Sequence, residues 1–355
     1  MVNKIAILDM VWQTALGDDV DSVWNLFLKD GIGISETGLA QISKPGTASE
    51  KMYAFVRKDL ERLLKSMGPQ LNTRRTCLIV GTGFGSRLEA AEESLSFDDA
   101  WLNSLADEFK LQESMLVLTA CSSGSDAIAL AMELLQAGYT DACISGGVDV
   151  ITAAKQYAHQ ALGTLSKKQL RSFDEQRDGT LLGEGSAFFI LKRSGEYSIK
   201  PKAWLYASGL ANAASGLTMP ESKGHSLALA IKKTLKQAQL HADDIGLIHA
   251  HGSGTYLNDL VEAKAFSLFS KTAITFATKG RLGHTLGATG AIGLLALILA
   301  LLTQQVPSIA HLATPMSAFP TILAQHNHRL HNIRYGISTT LGFGGFDSCL
   351  LAGID

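Results

Sequence analysis

The feature that most narrows what this chain can fold into is a rhythm. Apolar strand-like runs alternate with helix-length segments from one end of the sequence to the other, with no low-complexity stretch and only seven prolines. Such alternation predicts an α/β architecture in which parallel or mixed sheets are covered by helices. Strands are expected near 4–9, 76–81, 115–119, 141–147 and 185–192, and helices near 20–30, 50–66, 86–94 and 122–137. The order then recurs, with strands near 203–210, 245–250, 273–277, 335–340 and 346–353 and helices near 223–238, 258–269 and 286–303. The segment GGVDV with its later strand SAFFILKR in the first half is echoed by GGFDSCLLAG in the second, which suggests an internal duplication. The polar, turn-like RSGEYSIKPK marks the seam, giving expected halves of 1–197 and 198–355.

Composition restricts the function classes. With 355 residues, 46% of them hydrophobic and 18% charged, the chain can bury a large core. A formal net charge of −2 supplies no bulk basic field, so nucleic acid is not an expected partner. The longest apolar run, Gly290 to Leu302, is shorter than the roughly 20 residues a bilayer requires, and a buried helix is expected in place of a membrane span. The N-terminal MVNKIAILDM has no basic leader or cleavage site and reads as a first strand. Four cysteines show neither close pairing nor metal-ligand spacing, so a reducing, cytoplasmic setting without a metal or other cofactor is expected. Cys77, Cys143 and Cys349 lie within apolar runs and read as small buried hydrophobes.

Cys121 is different. In LVLTACSSGSDAIALAMELLQAG an apolar strand passes through one cysteine directly into a helix. A side chain at such an elbow sits at the carboxyl end of a sheet, where open α/β folds place their ligands. The unpaired N–H groups and partial positive charge of the helix N-terminus favour thiolate, which predicts a thiol pKa below the usual value of about 8.5. Ser122 and Ser123 are candidate caps for the turn.

The second half supplies suitable company. IGLIHAHGSGTYLNDLVEA sets His251 just past a strand, in a loop of glycines and small hydroxyl residues, ahead of a helix carrying Asp259 and Glu262, both placed to anchor their surroundings. ITFATKGRLGHTLGATGA again ends a strand and presents Lys279 and His284 before an apolar helix. His249 lies within its strand and reads as structural, and His159, His225, His241, His311, His326, His328 and His331 read as solvated surface histidines. YGISTTLGFGGFDSCLLAG forms a strand, a glycine-rich turn bearing Phe343, and a strand. Glycines there let backbone N–H groups approach a ligand, as an oxyanion hole demands.

TACSSG, HGSGTYLNDLVEA, TKGRLGHTLGATGA and LGFGGFD, in that order, resemble the four signature blocks of the β-ketoacyl synthases, and the opening segment and the loop RSFDEQRDGTLLGEGSA are similar to that family too. The resemblance implies a thiolase fold, duplicated βαβαβαββ halves in α/β/α/β/α layers, usually in a dimer. It implies that Cys121 carries the acyl group, that His251 and His284 stabilise the enolate formed when a malonyl thioester loses carbon dioxide, and that an acyl carrier protein delivers both substrates. It further implies an oxyanion hole from the Cys121 and Phe343 N–H groups, and a salt bridge from Lys279 to Glu262.

Three departures from the family stand out. Ser253 and Tyr256 occupy positions where threonine and proline are usual, Asp347 replaces the closing asparagine behind a bulky Phe346, and the segments around 35–75 and 85–115 look abbreviated. These changes touch the acyl gate and imply an unusual substrate, with specialised secondary metabolism as suitable as fatty acid synthesis. A thiolase is disfavoured by the two histidines. A chain-length-factor-like subunit acting only within a heterodimer is disfavoured by Cys121. For the carrier, the candidate docking surface is VRKDLERLLKSMGPQLNTRR, with Arg57, Lys58, Arg62, Lys65, Arg74 and Arg75, set against the alternative of an ordinary amphipathic helix.

Overall fold

The computed structural model describes residues 4–42, 45–84, 100–195 and 199–355. In chain order the first half runs β1 (Ile5–Gln13), α1 (Val20–Phe27), α2 (Ala48–Met67), β2 (Thr76–Gly81), α3 (Ala100–Glu108), β3 (Glu113–Val117), α4 (Ser123–Gln136), β4 (Ala142–Asp149), α5 (Ala153–Ala161) and β5 (Gly185–Arg193). The second half runs β6 (Ala203–Asn212), α6 (His225–Ala238), β7 (Leu247–His249), α7 (Tyr256–Phe266), β8 (Ile274–Phe276), α8 (Lys279–Leu282) and α9 (Thr289–Thr303). It closes with β9 (Gln305–Val306), β10 (Ile322–Leu323), β11 (His328–Arg329), β12 (Tyr335–Gly342) and β13 (Phe346–Gly353). The expected strands are all present within a few residues. Helices α3, α5 and α8 were not anticipated, and the helix expected near 86–94 lies outside the described residues, as does the seam at 197/198.

Eleven strands form one sheet in the order β10-β8-β7-β12-β13-β6-β1-β5-β4-β2-β3. The duplication is legible in it. In the first half β1, β5 and β4 pair antiparallel in turn, and β4, β2 and β3 pair parallel. In the second, β6, β13 and β12 pair antiparallel, and β12, β7 and β8 pair parallel. The two sets join where β1 and β6 run antiparallel.

Burial explains the layers. Strand β2 reads TCLIVG, apolar without alternation, because both of its faces are covered. Its Leu78 and Val80 join Ile144, Phe188 and Ile190 against α2 and α3, while Ile79 and Cys77 face the opposite way, toward α4. Helix α2 opens on a reciprocal Thr47–Glu50 capping box and buries Met52, Phe55, Val56, Leu60, Leu63 and Met67. Helices α4 and α9 lie between the two halves of the sheet, with α6 and α7 outside the second. Because α9 is enclosed all round it can be apolar all round. The helical stretch Leu286–Thr303 is 18 residues long, and 89% of it is buried inside the fold.

Both central helices begin in the same way. Ala120 and Leu286 each adopt positive φ, 53° and 46°, ahead of a single 3₁₀ turn and then α4 or α9. The two ends come together at Gly124, where an added Cβ would lie 2.9 Å from the Gly287 carbonyl oxygen.

Candidate active site

Cys121 lies in the 3₁₀ turn Ala120–Ser122, with the strained Ala120 turning the chain sharply from β3 toward α4. The serines do not cap the helix. Ser123 Oγ donates to the Ala120 carbonyl oxygen at 2.7 Å and accepts from Thr119 N–H at 2.8 Å, so it braces the elbow itself. Nor is the thiol exposed or acidified. Cys121 is buried, and that burial pushes its pKa up to about 12, against the opposing pull of the Lys279 ammonium and of the Phe343 and Cys121 N–H groups. Desolvation of the charged form outweighs the helix N-terminus, which reverses the expectation of a lowered pKa.

His251 follows β7. Its backbone N–H and that of Gly252 donate to the Glu262 carboxylate, each at 2.7 Å, and Thr339 Oγ1 donates to the same group at 3.0 Å. Lys279 Nζ donates to the His251 carbonyl oxygen and lies 3.4 Å from His251 Nδ1. No direct Lys279–Glu262 ion pair forms. The expected salt bridge is replaced by two separate grips on the His251 backbone. Burial drives Glu262 upward and Lys279 downward.

Asp259 ties the halves together. It accepts from Phe173 N–H at 2.6 Å and from Gly254 N–H at 3.1 Å, with Arg177 at 3.8 Å, so the loop after α5 is fastened to the His251 loop. The same first-half segment holds His284, whose N–H donates to the Leu181 carbonyl oxygen at 2.6 Å and whose carbonyl oxygen accepts from Gly183 N–H at 2.9 Å.

The tautomers of the two rings follow from their donors. Leu341 N–H donates to His251 Nδ1 at 3.3 Å, and Leu286 N–H donates to His284 Nδ1 at 3.2 Å. With Nδ1 accepting in both, the proton of each neutral ring resides on Nε2. Burial, reinforced by the Lys279 charge, holds both far below the ordinary histidine pKa, so they remain neutral. The ring centroids are 5.3 Å apart and the planes nearly perpendicular.

Two chambers of about 160 Å³ each meet at Cys121. The more polar of the two has His251, His284, Thr180, Ser253 and Asn258 on its wall; the other is lined by Phe84, Ala120, Leu162, Leu286 and Lys155. Lys155 is buried against Asp149, 2.5 Å away, and Asp149 also accepts from the Gly83 and Gly287 N–H groups at 2.8 Å each. Phe343 borders both chambers.

So does His159, which the sequence reading assigned to the surface. It is 7% exposed, stacked on Phe343 with centroids 5.7 Å apart and edge-on to His284 at 6.4 Å. Its segment KQYAHQALG looks solvated because α5 is exposed on one side, while its burial comes from a turn nearly two hundred residues away. His249 is structural as read, its Nε2 3.2 Å from Thr278 Oγ1. Cys77, Cys143 and Cys349 are fully buried.

The proposed docking helix is largely self-neutralised. Arg57 pairs with Glu61 and Glu108, Lys58 with Asp18 and Arg75 with Asp141, while Arg62 donates to the Trp12 and Asp18 carbonyl oxygens. Among the described residues only Lys65 and Arg74 of the six lack such a partner, which leaves the amphipathic-helix reading in force.

Comparison with known proteins bears on family and fold. Residues 103–196 match the family described as "Beta-ketoacyl synthase, N-terminal domain", and residues 203–313 match "Beta-ketoacyl synthase, C-terminal domain". The chain is 27% identical to a 3-oxoacyl-[acyl-carrier-protein] synthase 2 of Mycobacterium leprae over 409 aligned positions, covering 99% of this chain and 96% of that one. It is 25% identical to the protein so named in Mycobacterium tuberculosis, over 98% and 97% of the two chains. An alignment longer than this chain's 355 residues means that the relative carries segments absent here. In fold it is similar to the ishigamide ketosynthase/chain length factor, with a TM-score of 0.89 at 20% identity over 100% of both chains. A β-ketoacyl synthase from Burkholderia phymatum gives 0.84 at 21% identity, over 99% and 100% of the two chains. The match of residues 103–196 and 203–313 to the two domains of one family, with relatives aligned along the whole chain, shows that this chain belongs to the β-ketoacyl synthase family, which has the thiolase fold.

Proposed function

We propose that the protein is a β-ketoacyl-[acyl carrier protein] synthase, joining an acyl group held on Cys121 to a malonyl unit with loss of carbon dioxide, in fatty acid or polyketide synthesis. The observation that carries this reading is the pair of neutral imidazoles, His251 and His284, both holding their proton on Nε2 and both bordering the chamber that holds Cys121. Decarboxylation moves negative charge onto the malonyl thioester oxygen, and two N–H donors converging there stabilise it as it forms. The resulting carbanion attacks the acyl-Cys121 carbonyl, whose oxygen is received by the Cys121 and Phe343 N–H groups. Lys279 and Glu262 fix the His251 backbone, and Asp259 fixes the loop behind it. The division into halves of 1–197 and 198–355, with the nucleophile on one and the imidazoles on the other, is part of the same proposal, as is a cytoplasmic setting that suits four free cysteines.

The carrier protein is supported by the names of the relatives, and a homodimer or heterodimer by the ketosynthase/chain length factor neighbours. Strand β3 adds support. Among the described residues it pairs only with β2, and all five of its residues are half-buried, so among them the long sheet ends in an edge suited to another subunit. Cys121 supports the ketosynthase side of any heterodimer for this chain and argues against a chain-length-factor role. The test is to supply acyl- and malonyl-carrier protein and follow acyl-Cys121 and β-ketoacyl product by mass. Product from Cys121→Ala, or none from the wild type alone or with its partner subunit, would refute the reading.

A further inference from the structure

Loading an acyl group onto Cys121 releases a thiol proton, and the two second-half imidazoles cannot take it. Each carries its proton on Nε2 because its Nδ1 already accepts a backbone N–H, and both rings line the chamber. Burial meanwhile keeps the Cys121 thiol protonated.

A third ring borders the nucleophile. His159 lines both chambers that meet at Cys121. Its Nδ1 lies 2.8 Å from Thr164 Oγ1, and the same hydroxyl donates to the His159 carbonyl oxygen at 3.1 Å. One arrangement satisfies both contacts. The single Thr164 proton goes to the carbonyl, Oγ1 accepts from Nδ1–H, and the lone pair of the ring is left on Nε2. Among the described residues Nε2 has no hydrogen-bond partner. His159 therefore has the opposite polarity to His251 and His284: an acceptor facing the chambers, where the other two are donors.

We propose that His159 is the proton acceptor of acyl loading. As Sγ attacks the carbonyl of the incoming thioester, Nε2 takes the S–H proton. The new C–S bond forms at Cys121, the old one breaks, and the departing carrier thiolate recovers the proton from Nε2. The ring ends neutral and ready for the next transfer. During the step the imidazolium and thiolate charges stabilise each other. Burial lowers the His159 pKa, so the ring is unprotonated at neutral pH. The titratable groups around it are Cys121, His251 and His284 on the polar side and the Lys155–Asp149 pair on the other.

This inference rests on Cys121 being the acyl acceptor, and the test separates the two. The full-length protein is incubated with acetyl and hexanoyl thioesters of N-acetylcysteamine from about pH 6 to about pH 9.5, and acyl-Cys121 is followed by intact mass. Wild type is expected to load at a rate that is flat above neutral pH. His159→Phe, which keeps a ring on Phe343, is expected to load about 100-fold or more slowly at pH 7 and to gain about tenfold per pH unit as hydroxide takes over. Added imidazole is expected to restore part of the rate in His159→Ala. Wild-type rates in His159→Phe, or a slow variant with neither the pH slope nor the imidazole rescue, would overturn the assignment. Absence of acylation in wild type would overturn it together with the function on which it rests.

Discussion

Lys279 and Glu262 hold one residue from its two backbone ends: the Lys279 ammonium donates to the His251 carbonyl oxygen, and the Glu262 carboxylate accepts from the His251 N–H at 2.7 Å. The cation and the anion meet through a peptide unit and not through each other. This orients the imidazole without placing either charge in the chamber.

Glu262→Gln turns one of those contacts against itself, because an amide NH₂ would face a backbone N–H. A loss of about 1–3 kcal/mol of stability is expected, with malonyl decarboxylation reduced as His251 shifts and self-acylation of Cys121 retained. Thermal unfolding and release of labelled carbon dioxide report the two effects. Decarboxylation at the wild-type rate would remove Glu262 from the positioning of His251.

Iodoacetamide at neutral pH is expected to modify Cys121 alone in the folded protein. It is the cysteine that opens on a chamber, whereas Cys77, Cys143 and Cys349 have no exposed surface. Peptide mapping after partial labelling gives the rates. Comparable labelling at Cys77 or Cys143 would show that the chamber confers no selectivity.

Asp59 makes stability fall with pH. It is fully buried beneath β5, and desolvation pushes its carboxyl up to about 7 despite the 2.5 Å hydrogen bond from Ser186 Oγ. The folded state thus binds a proton that the unfolded state releases near pH 4, so stability is highest below that value and declines until about pH 7, by roughly 4 kcal/mol for this group. Asp59→Asn is expected to remove that share of the decline and to be the more stable protein at pH 8. Urea unfolding of both proteins at about pH 5 and about pH 8 measures the difference, and parallel losses in the two would exclude it.

Charge reversal on α2 is expected to separate docking from stability. Arg62 donates to two carbonyl oxygens and stands 3.9 Å from Asp59, so Arg62→Glu sets a carboxylate near a buried one and should lower the Tm. Lys65→Glu should leave both the Tm and the carrier-protein KM unchanged. A raised KM in Lys65→Glu alone, absent with a small thioester, would restore α2 as the docking surface.

What the sequence disclosed depended on how local each signal was. The strands β2, β4 and β13 are short apolar runs that read directly, and the Cys121, His251 and His284 blocks each combine a strand end, a small-residue turn and a helix within about twenty residues. His159 failed that test because its neighbours in sequence are polar and its neighbours in space belong to Phe343 and His284. The Cys121 pKa failed for a related reason: the helix N-terminus is visible in the sequence, whereas the loops that exclude water from the thiol are gathered from both halves. Lys279 and Glu262 were read as a pair, but their bonds pass through the His251 backbone, which no side-chain spacing encodes.

The matched turns at Ala120 and Leu286 are alike in backbone and unlike in what they carry. The residue that follows Ala120 is the nucleophile, and the residue that follows Leu286 is Gly287, whose N–H donates to Asp149 and whose bare α-carbon presses on the backbone of Thr82 and Gly83. A side chain at 287 would strike the backbone beneath the nucleophile's own elbow, since an added Cβ there would lie 2.2 Å from Gly83 N and 2.5 Å from the Thr82 carbonyl carbon. Of two turns with the same backbone geometry, only the one at Ala120 has room to carry a reactive group, and the bare glycine of the other is what lets the walls close around it.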